Sequence, residues 1–63
     1  MAAAILRALR TPRTMEGVCE YLRVPIYRVR STVRELFEAG LVVEDDGVYG
    51  LTDGGRGRLE QDA

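Results

Sequence analysis

An α+β fold is predicted for this 63-residue chain: three helices, a β-hairpin and a short terminal helix, all in one domain spanning residues 1–63. Three observations predict it. Between residues 15 and 39, apolar residues return every three or four positions, the period of a helix with one buried face. Gly40 interrupts that pattern, and the short runs after it alternate with period two. Asp46-Gly47 between those runs is a hairpin-turn dipeptide, because both residues tolerate positive φ.

The first helix is expected over Ala2–Arg10, where alanines favour helix and Ile5, Leu6 and Leu9 share a face. Thr11-Pro12 ends it, since proline cannot extend the hydrogen-bond ladder. Thr14 is the expected N-cap of a second helix over Met15–Leu22. Met15, Val18, Cys19 and Leu22 form its inner stripe, and Glu16 and Glu20 face out. Arg23-Val24-Pro25 makes a tight turn into the third and longest helix, Pro25–Ala39. Ile26, Val29, Val33 and Leu36 give that helix its inner face, with Phe37 at the edge. Gly40 suits the left-handed conformation that closes it.

Strands are expected at residues 41–44 and 48–51, with Leu41, Val43, Tyr49 and Leu51 pointing inward and Val42 and Val48 outward. Gly50 inside the second strand reads as a bulge or a close backbone approach. Thr52 caps the final segment, residues 53–61, whose three glycines, Gly54, Gly55 and Gly57, predict a short, frayed helix.

Composition narrows the function classes. Nine arginines and no lysine meet ten acids, for a net charge of −1, but the charges are segregated. Residues 23–34 hold Arg23, Arg28, Arg30 and Arg34 without an acid; residues 35–46 hold Glu35, Glu38, Glu44, Asp45 and Asp46 without a base. The result is one locally positive stretch on a mildly acidic molecule. No apolar run reaches the roughly 20 residues of a membrane span, and the start lacks the pattern of a secretory signal. A single cysteine, Cys19, makes neither an internal disulfide nor a zinc cage, and reads as a small buried apolar residue. With no histidine, no lysine and no phosphate-binding loop, an enzyme is not expected, nor is a cofactor or metal. A cytoplasmic protein is the natural expectation.

Val29, Leu36 and Glu38-Ala39-Gly40-Leu41-Val42 precede the hairpin turn, and Tyr49-Gly50-Leu51-Thr52-Asp53-Gly54-Gly55-Arg56-Gly57-Arg58-Leu59 spans its second strand and the start of the terminal helix. In this order and spacing, after a helix-turn-helix, the residues resemble the winged helix-turn-helix domain of MarR- and PadR-type small transcription regulators across essentially the whole chain. The resemblance implies an α+β winged helix-turn-helix fold that binds double-stranded DNA sequence-specifically, with the third helix in the major groove. Carried over by position, the DNA-binding candidates are Ile26, Tyr27, Arg28, Arg30, Ser31 and Arg34. Helical spacing separately singles out Tyr27, Arg30, Ser31 and Arg34, one ridge opposite the buried valines. A homodimer would set two such helices roughly 34 Å apart. The acidic hairpin tip, Glu44-Asp45-Asp46, departs from the basic wing that usually lies on DNA. It suits the alternative, a winged-helix protein-interaction module within a larger assembly, which outward-facing Val42 and Val48 would favour.

Overall fold

The computed structural model describes residues 1–62. The elements run α1 (Ala2–Ala8), β1 (Arg13–Thr14), α2 (Met15–Leu22), α3 (Ile26–Glu38), β2 (Val42–Asp45), β3 (Val48–Leu51) and α4 (Asp53–Asp62). The protein is thus α+β, with four helices and a small antiparallel sheet. Its core gathers Ile5, Leu6, Ala8 and Leu9 from α1 and its C-cap, Val18 from α2, Val29, Val33 and Leu36 from α3, Val42 from β2 and Leu59 from α4. Met15, Cys19, Leu22, Leu41, Tyr49 and Leu51 are half-buried around it.

Several boundaries have a local chemical cause. Thr14 Oγ1 accepts the Gly17 N–H at 3.0 Å and caps α2. Arg23, in the left-handed conformation (φ 57°), closes α2 with its N–H on the Cys19 carbonyl. At the end of α3 the Gly40 N–H reaches the Phe37 carbonyl and the Leu41 N–H the Leu36 carbonyl, with Gly40 at φ 77°. This is the Schellman arrangement, in which a left-handed residue lets the chain satisfy two terminal carbonyls. Pro25 stands just outside α3 as its N-cap, its carbonyl accepting from Arg28 and Val29.

Four expectations are corrected. The sheet has a third strand, β1, two residues long, and the order is β1-β3-β2. The phase of β2 is opposite to that expected: Val42 is 1% exposed, whereas Val43 is 48% exposed. Because Leu41 is used in closing α3, the strand begins one residue later, and a one-residue shift reverses every side chain. Ile26 lies 40% exposed, in the first turn of α3 and off the centre of the stripe that Val29, Val33 and Leu36 form. Finally, Gly50 pairs in continuous register with Val43, without a bulge, and an added Cβ there would meet nothing within 4 Å.

The terminal helix covers its expected span in spite of three glycines, and the contacts explain one of them. Thr52 Oγ1 accepts the Gly55 N–H at 3.0 Å and donates to the Gly40 carbonyl at 2.6 Å. The Thr52 N–H bonds to the Leu41 carbonyl. One threonine therefore caps α4 and ties it to the end of α3. Gly55 fits beneath this clasp, where a Cβ would lie only 2.0 Å from the Leu41 carbonyl oxygen. Gly57 is exposed and has open space around it. Gly57→Ala should raise stability by roughly 0.5–1 kcal/mol, seen as a melting temperature a few degrees higher by circular dichroism.

Candidate nucleic-acid interface

The third helix is amphipathic with a sharp division. Its buried face holds Val29, Val33 and Leu36, so everything on the far side must stand out from the molecule. Ile26, Tyr27, Arg28, Arg30, Ser31 and Arg34 are all exposed, and Tyr27, at 70%, does not pack across the turn. No ion pair engages Arg28, Arg30 or Arg34 among the described residues, Glu38 one turn beyond Arg34 included. Thr32 turns its hydroxyl back to the Arg28 carbonyl at 3.3 Å and is not part of the outward set.

These residues occupy two flanks. On one, Tyr27, Arg28 and Ser31 border a shallow depression with Met1 and Thr32. On the other, Arg30 and Arg34 form one wall of a cleft of about 310 Å³ between α3 and the hairpin. Val33, Met15 and Tyr49 line that cleft, Phe37 continues the helix wall, and Glu44 faces it from β2. The register explains the placement. Val42 pairs with Leu51 and Glu44 with Tyr49, so these four share the inner face of the hairpin; Val43, Asp45, Val48 and Gly50 take the outer one.

Sequence reasoning does not single out Phe37 or Met15 for this surface, and it names Glu44 only as part of the acidic tip. The signal for Phe37 is its place at the edge of the apolar stripe, and it is 53% exposed. The position of Glu44 depends on strand phase, which is the reverse of the one that alternation from Leu41 predicts.

The acidic tip does not act as one cluster. Glu44 and Asp45 project from opposite faces of the sheet, and the turn is Asp46-Gly47, with φ of 53° and 84°. The Glu44 carboxylate accepts the Gly47 N–H at 2.6 Å, which fixes it across the turn. Among the described residues no group of three or more His, Cys, Asp or Glu is placed to hold a metal.

Arg13, by contrast, has a structural task. Its Nε donates to the Ala8 carbonyl at the end of α1 at 2.8 Å, and its guanidinium lies 4.4 Å from the centroid of the Tyr21 ring. A cation at a helix C-terminus and over an aromatic face is favourable on both counts. Among the described residues no helix is long and apolar enough to cross a membrane. No protein-family model matches the chain, and no curated protein matches it in sequence.

Proposed function

We propose that the chain is a winged helix-turn-helix DNA-binding domain, a small transcription regulator that inserts α3 into the major groove. One observation carries this reading. Three arginines without ion pairs among the described residues, with a tyrosine and a serine, stand on the outward side of a helix whose other side is core. A helix about 10–12 Å across fits a major groove of about 12 Å. Arginine there can hold phosphates or pair with guanine O6 and N7. The element order and the pairing of β1 with β3 support the winged-helix interpretation of the fold. β2 and β3 would be its wing.

The test is an NMR titration with duplex DNA at about 50 mM and then about 150 mM salt. Amide shifts concentrated in residues 26–34, weakening with salt, are expected; unmoved amides at the lower salt would end the reading. Arg30→Ala and Arg34→Ala should each weaken binding by roughly 1–3 kcal/mol if they meet bases, or lower the salt slope by about one unit if they meet phosphates. Their melting curves should match the parent, since neither guanidinium bonds to another of the described residues.

A second reading, a protein-docking module, is favoured by the outer hairpin face, where Val43 and Val48 are exposed beside Pro12 and Gly50. Val42 makes no contribution there because it is buried. Dimerisation through the outward faces of α1 and α4 has less support: those faces present mainly alanine, glycine and charged residues. Shifts confined to the hairpin on adding a partner protein, with none on adding DNA, would select the docking reading.

A further inference from the structure

Glu44 stands where a basic residue would be expected to meet the DNA backbone. It faces the same cleft as Arg30 and Arg34, yet it pairs with neither. Its carboxylate is held by the Gly47 N–H across a two-residue turn. A backbone amide bonds a carboxylate more strongly than a neutral acceptor, and this bond favours the place that Glu44 takes beside the cleft.

Resting on the DNA-binding reading above, we propose that Glu44 is a specificity-determining residue that keeps phosphate out of the space between α3 and the hairpin. Sequence-independent affinity comes almost entirely from phosphate contacts, whereas sequence is read at base edges. A fixed negative charge facing Arg30 and Arg34 lowers the first contribution and leaves the second. With phosphate disfavoured in the cleft, the affinity that Arg30 and Arg34 contribute depends more on contacts made at base edges in the groove. The acidic hairpin is on this account a device for selectivity: it lowers binding to arbitrary duplex.

Glu44→Gln tests this directly, because the amide oxygen still accepts from Gly47 while the charge is gone. Asp45→Asn is the control, removing one charge from the adjacent residue on the opposite face of the sheet. Fluorescence anisotropy would follow a random-sequence duplex and a duplex selected by the parent protein, between about 50 and 200 mM salt. Glu44→Gln should bind the random duplex about tenfold more tightly at the lower salt, with a salt slope steeper by about 0.9, the signature of one added phosphate contact. The selected duplex should gain less, so the ratio of specific to random affinity falls. Asp45→Asn should change either affinity by less than about twofold.

An unchanged slope for Glu44→Gln overturns the proposal while leaving DNA binding intact. So does an equal gain from Asp45→Asn, which would mean that only the overall field matters. If the parent and both variants melt cooperatively yet none binds any duplex, the DNA-binding reading fails and this inference with it.

Discussion

Val29→Asp is expected to abolish folding. Val29 is fully buried in the core, which gathers side chains from all four helices and from β2. A carboxylate there must either stay charged without a partner or take up a proton. Fully buried acids shift by up to about 3–5 pH units, and each unit corresponds to about 1.36 kcal/mol. The cost, roughly 4–7 kcal/mol, is comparable to the whole stability of a domain this size, about 3–9 kcal/mol at typical per-residue values. The measurement is the loss of a cooperative melt and of amide dispersion at 25 °C. Val29→Ala separates charge from volume: it should retain the fold and lose roughly 2–3 kcal/mol. Val33 would be a poorer site for the same test, because it borders the cleft beside Arg30 and Arg34, where a carboxylate could find partners.

The second large effect is expected from a single methyl group. Gly55→Ala places a Cβ 2.0 Å from the Leu41 carbonyl oxygen and 3.0 Å from its carbon. The obstacle is backbone, so no side-chain rotation relieves it. The start of α4 must move away by more than an ångström, and in moving it releases both Thr52 bonds, to the Gly40 and Leu41 carbonyls. Overpacking alone costs about 1–3 kcal/mol, and each lost hydrogen bond about 1 kcal/mol more. A loss of about 3 kcal/mol or more should lower the melting temperature by at least roughly 12 °C. Gly57→Ala, two residues on and facing open space, is the matched control and should move it upward. If both substitutions gave the same small change, the close packing of α4 on Leu41 would be wrong.

These two glycines also mark what is legible in such a sequence. Features set by neighbouring residues can be read: the Thr14 cap, the Gly40 stop, the Asp46-Gly47 turn and the Thr52 cap. Each depends on chemistry within a few positions, and so does the 3–4 spacing that puts Val29, Val33 and Leu36 on one face. Features set across the fold cannot. Gly55 is required by a carbonyl far earlier in the chain, that of Leu41, so in the sequence it looks the same as Gly57. β1 has only Arg13 and Thr14, too short for any periodicity, and is a strand only because β3 lies alongside it.

The candidate surface divides the same way. That Arg28, Arg30 and Arg34 are exposed is a consequence of helical spacing. That Arg30 and Arg34 share a cleft with Glu44, while Arg28 lies on the other flank, depends on how the hairpin folds over α3.

Arg13 connects parts that a simple hairpin would leave independent. A pair of short strands is marginal by itself in water. Here β3 is flanked on its second edge by Arg13 and Thr14, and Arg13 is bolted to the last turn of α1 and to the ring of Tyr21. The hairpin is thereby tied to the helical body through Val48 and Tyr49, the residues of β3 next to the turn, and not only through its root. The far wall of the cleft beside α3 thus has two supports, the chain that leads from α3 into β2 and the strand that follows α1.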